Sequence, residues 1–341
     1  SQPLGGWFSD RLGRKPLLIL GGLFALAGAG FFTVASTTGD WLWLLPGVVL
    51  MGASLASIPA QRSLVAESSA TDRHGMAYSV LTASTMAPGI FAPALGGFIA
   101  QRWGFTQFFV IRLGLEALAI LLIVRLLQET VGRLRSGVAP GDLKALFATL
   151  LVPPRHLRGF FIASAIDQFA WGMGGFLLMG LLSDAYGFTP FQLGIMASLT
   201  ALVWTVCQLP VGRLIDRHGC KRSLIFSEAL GTLLIVGWLL ARTYAAFLVV
   251  QAMWGVIGAT WLPAIMTLLA DSVPDSQRGE IMGRYAAFRG VIAFPAPFLG
   301  GLLYEQFGFQ APLLANLVGV LIAMVLIILT VQDPQRAEVG S

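Results

Sequence analysis

Long apolar runs alternate with short charged turns along the whole chain. Ten runs approach the roughly 20 residues that a helix needs to cross the hydrocarbon of a bilayer. They lie near 16–36, 41–61, 77–100, 106–127, 159–183, 191–211, 223–241, 245–268, 282–304 and 310–331. Within hydrocarbon every backbone N–H and C=O must find its partner inside the segment, so such runs predict helices. The longest polar stretch, 128–158, contains Gly137, Pro140, Gly141, Pro153 and Pro154 and separates four runs from six. The expected organisation is an N-terminal half-bundle over 1–127, a central linker over 128–158, a C-terminal six-helix bundle over 159–331 and a tail over 332–341. Asp142 to Leu151 predicts a short amphipathic helix lying on the membrane surface.

Composition agrees with lipid as the solvent. The 341 residues are 56% hydrophobic and 11% charged, with a mean hydropathy of +0.77. Soluble domains carry about 25% charge. The net charge of +5 comes without a basic–aromatic patch, so it points to topology rather than to nucleic acid. Of the basic residues, only Arg102 and Arg242 fall on one side of the expected spans, Arg112 and Arg289 fall inside spans, and the rest share the other side. The positive-inside rule makes that richer side cytoplasmic, together with the linker and the tail. Cys207 lies in an apolar run and Cys220 in a charged turn, so no disulfide is expected. His74, His156 and His218 lie in polar loops without metal-ligand spacing. No metal or cofactor site is expected.

A charged turn occurs twice. Gly6, Asp10, Arg11, Gly13, Arg14 and Lys15 form one copy of the pattern G-x-x-x-D-R-x-G-x-K/R, and Gly212, Asp216, Arg217, Gly219, Lys221 and Arg222 form the other. The copies are 206 residues apart. Further matches hold at an offset of 204. Pro59-Ala60 with Glu67 matches Pro263-Ala264 with Asp271, and Ala92-Pro93-x-x-Gly96-Gly97 matches Ala296-Pro297-x-x-Gly300-Gly301. The chain is therefore an internal duplication. The second half shows six runs and the first shows four, which predicts roughly 50 further residues before Ser1 and twelve spans in the native protein.

These residues resemble the major facilitator superfamily of secondary transporters. The fingerprint is similar to that family's loop between its second and third helices, and the second copy to the echo between the eighth and ninth. The resemblance implies an all-α membrane protein of two six-helix halves, with ten full spans present here. It implies alternating access, a small-molecule substrate, protons as a coupling partner, and a monomer. It also implies that 41–61, 159–183 and 245–268 contribute to a central cavity. The Ala-Pro-x-x-Gly-Gly pairs look like a degenerate form of the fifth-helix motif of the family's exporters. The arginine that proton-coupled members often carry in the fourth helix, four residues before a glycine, is absent, since Val48 stands there before Gly52.

In the fingerprint the glycines permit close helix contact and a tight turn. Its acids and bases would form a conformational latch, with Glu67 and Asp271 as partners for Arg14, Lys15, Lys221 and Arg222. Asp167 lies inside a span, where a carboxylate must face a cavity, be paired or be protonated. With Gln168, Trp171, Gln251, Trp254, Trp261 and Arg289 it forms the candidate proton and substrate site. Arg112 and Glu116, four apart, are expected to neutralise one another. Glu228 is expected to be an interfacial partner near the end of its span, and Trp41 and Trp43 interface anchors. Pro46, Pro59, Pro88, Pro93, Pro263, Pro295 and Pro297 are expected to kink helices. No zinc-protease, Walker or nucleophile motif is present, which argues against an enzyme. The expected function is proton-coupled export of small, fairly apolar solutes from a bacterial inner membrane. Uptake of a metabolite or organic anion through Arg289 or Arg112, and a transport-inactive receptor of the same fold, remain the alternatives.

Overall fold

The computed structural model describes residues 13–58, 60, 61, 64, 74–128, 152–274 and 277–331. All secondary structure among them is helical. In chain order the helices are α1 (Arg14–Thr38), α2 (Leu44–Ser54), α3 (His74–Trp103), α4 (Phe105–Leu126), α5 (Arg158–Met173), α6 (Leu178–Tyr186), α7 (Pro190–His218), α8 (Cys220–Leu240), α9 (Tyr244–Asp271), α10 (Arg278–Ala293), α11 (Ala296–Phe307) and α12 (Gln310–Thr330). Among the described residues eight segments are long and apolar enough to cross a membrane. The two other expected spans correspond to the shorter apolar stretch Trp41–Ser57 and to α3. The chain is a multi-pass integral membrane protein.

Among the described residues, two of the spans are broken helices. α5 and α6 are joined by a 3-10 turn at Gly175–Leu177, after Gly174 leaves the helical region at φ −121° and ψ −66°. α10 and α11 meet at Pro295. Pro88, Pro93 and Pro263, also expected to kink, lie within helices that run unbroken. Proline removes one helical hydrogen bond, and neighbouring groups in a bundle can absorb that loss. Ends are set locally. Thr189 caps α7 in a reciprocal capping box with Gln192, followed by Pro190. Thr243 caps α9.

The chain divides into two compact units, one holding residues 1–88 and 95–141, the other 89–94 and 142–341. In the first, α1 packs on α2 and α4. In the second, α5 packs on α12, α10 and α11, α7 on α9, and α8 on α9 and α12. This second unit has two apolar cores. One gathers Phe160, Phe161, Leu224, Ile265, Leu268, Ile281 and Tyr285. The other gathers Trp171, Leu234, Trp238, Met196, Phe247 and Val320. Along α5 and α8 the residues between these clusters include Ser164, Asp167, Ser227 and Glu228, all buried. A thin polar layer thus lies between two apolar plugs.

The duplication is visible in the backbone. Gly13 and Gly219 open α1 and α8 with φ 94°, ψ 165° and φ 85°, ψ 166°. Gly104 and Gly308 share a similar backbone before α4 and α12. Only glycine adopts that region without strain. Next to each fingerprint glycine, a lysine reaches the last helix of its own half. Lys15 donates to the Val124 carbonyl and Lys221 to the Ile328 carbonyl, both at 2.8 Å. These carbonyls belong to last turns, which lack helical donors and favour cations. Replacing Gly219 by alanine is therefore expected to cost about 1–3 kcal/mol through backbone strain. Lys221→Met should cost less, about 1 kcal/mol. Thermal unfolding in detergent measures both, and an unchanged midpoint for Gly219→Ala would refute the strained-turn account.

Candidate functional site

A cavity of about 220 Å³ opens within the second unit. α5 supplies Asp167, Gln168 and Trp171, and the turn after it supplies Phe176. α7 supplies Trp204, α8 Ser227 and Glu228, α9 Trp254, Ile257, Gly258 and Trp261, and α10 Arg289. Apolar surface dominates the wall, and the polar atoms cluster on one side, where α5, α8 and α10 meet.

Arg289 organises that side. Its guanidinium lies 3.7 Å from the Asp167 carboxylate, donates to the Gln168 side-chain oxygen, and donates through Nε to the Ser164 carbonyl at 3.2 Å. It also sits 5.0 Å from the centre of the Tyr285 ring, one turn away on its own helix. Glu228 comes from the opposite helix, 3% exposed, with its carboxyl within reach of Asp167. The Trp171 indole N–H faces the same carboxyl. One cation therefore meets two carboxyl groups, an arrangement in which a single proton balances the charge.

The aromatic side is equally built. Trp171 and Trp254 meet edge to face at 4.7 Å, and Trp238 stacks on Trp254 at 5.3 Å. A Cβ on Gly175 would collide with both Trp171 and Trp254, so the helix break and the glycine together make room for the indoles. Gly258 does the same for Trp204. At the break, the freed N–H of Gly175 finds the side-chain oxygen of Asn316 at 3.1 Å.

Of the expected site residues, Asp167, Gln168, Trp171, Trp254, Trp261 and Arg289 come together at this cavity. Gln251 does not. It is buried between α7 and α9 and donates to Thr200 at 3.2 Å. Glu228 is a correction, because it is deeply buried and faces Asp167 rather than an interface. Eight residues past Cys220 at 1.5 Å each put it about 12 Å inside the helix, and that distance was the available signal. Trp204, Phe176 and Ser227 gave none. Arg112 and Glu116 are also corrected: Arg112 reaches across to the Met51 sulfur of α2 at 3.2 Å, rather than along its own helix to Glu116.

Of the fingerprint, Gly6, Asp10 and Arg11, with Glu67, lie outside the described residues. Gly212 and Asp216 lie on α7, and the Asp216 side chain is outside the description too. Arg14 begins α1, and Arg217, Arg222 and Asp271 are exposed. In the second Ala-Pro-x-x-Gly-Gly copy Gly300 lets α11 approach the Met173 backbone, while a Cβ on Gly301 would meet open space. In the first, Gly96 abuts Phe108. Pro93 and Gly97 lie on α3, and Pro297 is in the first turn of α11. Among the described residues no three His, Cys, Asp or Glu side chains converge as metal ligands.

The Major Facilitator Superfamily model matches residues 1–159 and again 160–341. The chain belongs to the Major Facilitator Superfamily. It is a membrane transporter and not an enzyme. It is 25% identical over 317 residues to the multidrug resistance protein MdtG of Serratia proteamaculans (strain 568), covering 91% of this chain and 75% of that protein. Among solved structures it is similar in fold to the nucleoside transporter NupG, with a TM-score of 0.76 at 15% identity, covering 96% of this chain and 86% of that one. It is also similar to the human organic anion transporter MFSD10, with a TM-score of 0.67 at 19% identity, covering 96% and 80%.

Removing one member of a buried ion pair strands the other. Arg289→Met is expected to destabilise the protein by on the order of 3 kcal/mol. Adding Asp167→Asn should recover part of that loss, because the second change removes the stranded charge. A double-mutant cycle on thermal unfolding tests this, and strictly additive losses would refute the pairing.

Proposed function

We propose that this transporter exports small, fairly apolar solutes in exchange for protons by alternating access. The observation that supports it is one cavity holding Asp167, Glu228 and Arg289 against a wall of Trp171, Trp204, Trp254 and Trp261. Charge bookkeeping explains the proton. With both carboxyls ionised and Arg289 cationic, the cluster carries one uncompensated negative charge, which is costly inside a bundle. One bound proton makes it neutral. A cationic solute held over the tryptophan faces would neutralise it equally well. Proton and solute then compete for one negative charge, which is what exchange in opposite directions requires. A volume of about 220 Å³ falls below the roughly 300–1,000 Å³ of a drug-sized site, so this cavity would take one ring or amine of a solute.

The name of the MdtG relatives, multidrug resistance protein, agrees with export. Uptake of an organic anion would need an available guanidinium. Arg289 is engaged by Asp167, Gln168 and Ser164, and Arg112 contacts Met51. In this reading the fingerprint turns, the linker and the tail face the cytoplasm of a bacterial inner membrane, where their basic residues belong. The fingerprint acts as a latch, with Lys15 and Lys221 tying the helix after each turn to the last helix of its half. The protein works as a monomer.

The test is flux in proteoliposomes under an imposed pH gradient, using a panel of lipophilic cations and neutral dyes. Wild-type flux should follow the gradient, and Asp167→Asn should lose about tenfold or more of it. Equal flux in both would remove Asp167 from the path, and wild-type flux indifferent to the gradient would refute proton coupling.

A further inference from the structure

The polar layer does not end at the cavity. Ser164 lies three residues before Asp167 on α5 and is fully buried, and Tyr285 lies four residues before Arg289 on α10 at 3% exposure. Both steps point toward the helix ends nearest the linker. Tyr285 is about 10 Å from the first residue of α10 at 1.5 Å per residue. The two hydroxyls neighbour one another across the α5–α10 contact. They are close enough to interact, yet neither meets a partner at full hydrogen-bond geometry among the described residues, and neither does Oε1 of Glu228.

Buried oxygens are nearly always satisfied, by protein or by ordered water. Here three without a partner, from three helices, border one guanidinium. The tyrosine cannot turn away to find one. Phe160 lies flat on its ring at 5.5 Å, Phe161 meets its edge at 5.5 Å, and Arg289 covers it at 5.0 Å. Phenylalanine would pack as well in this clamp, so the hydroxyl needs a reason of its own. Polar, enclosed groups contributed by three neighbouring helices suit a buried water, which needs two to four such partners.

We propose that internal water joins Glu228, Ser164 and Tyr285 into a proton path between the Asp167–Glu228 pair and the linker-bearing end of the second unit. This rests on the proton-coupled reading above. A carboxyl O–H gives its proton to the water, and the water passes one of its own to the Ser164 hydroxyl. That hydroxyl passes one to Tyr285, which releases one to solvent water at the linker-bearing end. Each relay oxygen accepts one proton as it gives one, so only the carboxyl changes charge. The ionisable groups around the path are few. α5 presents Asp167, with Arg158 at its start; α8 presents Glu228, with Cys220, Lys221 and Arg222 in its first turn; α10 presents Arg289, Tyr285 and Arg284, whose guanidinium donates to the Val152 carbonyl, with Arg278 and Glu280 in its first turn. α9 has only Tyr244 and Asp271, at its two ends, α11 has Tyr304 and Glu305 at its far end, and α12 has none.

Tyr285→Phe and Ser164→Ala test the path in the full-length protein in proteoliposomes. Each should lower proton-gradient-driven flux about tenfold and enlarge the rate ratio between H2O and D2O. Solute counterflow without a gradient should stay within about twofold, because exchange needs binding but no net proton transfer. Driven flux equal to wild type in both variants would overturn the path. So would an equal loss of counterflow and driven flux, which marks a binding or folding defect. Wild-type solute flux without gradient dependence would overturn the proton-coupled reading and the path with it.

Discussion

A charge inside hydrocarbon persists only where polar groups close around it, and in this protein that constraint falls on the Asp167–Arg289 pair. Satisfying it requires α5, α8 and α10 to meet at one depth. Arg289 contributes by donating to both a side chain and the backbone of α5, which fixes the rotation of α10 as well as its distance. Glu228 then enters from α8, and its buried position makes sense only because Asp167 and Arg289 are already there. The apolar clusters on either side, one around Phe161 and Leu224 and the other around Trp238 and Leu234, shield the layer from bulk solvent and lengthen the electrostatic reach of each charge. The proposed exchange rests on the imbalance left behind: one guanidinium does not neutralise two carboxylates.

The broken helix beside this layer belongs to the same design. α5 ends at Met173, within one turn of Trp171, and the chain resumes as a helix only at Leu178. A side chain at Gly175 would collide with the indoles of Trp171 and Trp254, and one at Gly174 with the Pro312 carbonyl and Asn316. Asn316 on α12 takes up the backbone N–H that the break frees. The wall that would meet a solute is thereby coupled to the carboxyl that would meet a proton, since Trp171 touches both.

Much of the fold was legible in the sequence because lipid imposes a length. The runs near 106–127, 223–241 and 310–331 match α4, α8 and α12 within a few residues. The fingerprint glycines announced turns that only glycine makes, and Gly13 and Gly219 both make them. Helix rotation was not legible. In water, one apolar stripe tells which face is buried, but a helix with lipid on one side and protein on the other is apolar all round. Trp204 and Phe176 therefore looked like any other apolar residues. Polar residues carried what rotational signal there was, which is why Asp167, Gln168 and Arg289 were found. Glu228 was misplaced by its nearness to a span end, and Tyr285 passed unnoticed because its ring packs as a phenylalanine would. The Arg112–Glu116 spacing allowed a pair but could not reveal that Met51 offered a contact across helices.

A proton shared by Asp167 and Glu228 beside Arg289 underlies the proposed exchange. Difference infrared spectroscopy of the membrane-reconstituted protein tests it directly, by following the C=O stretch of a protonated carboxylic acid at neutral pH. The account predicts such a band in the wild type, lost in an Asp167→Asn, Glu228→Gln double variant and displaced when a transported cation binds. A band that survives the double variant, or a wild type with no protonated carboxyl at all, would contradict it.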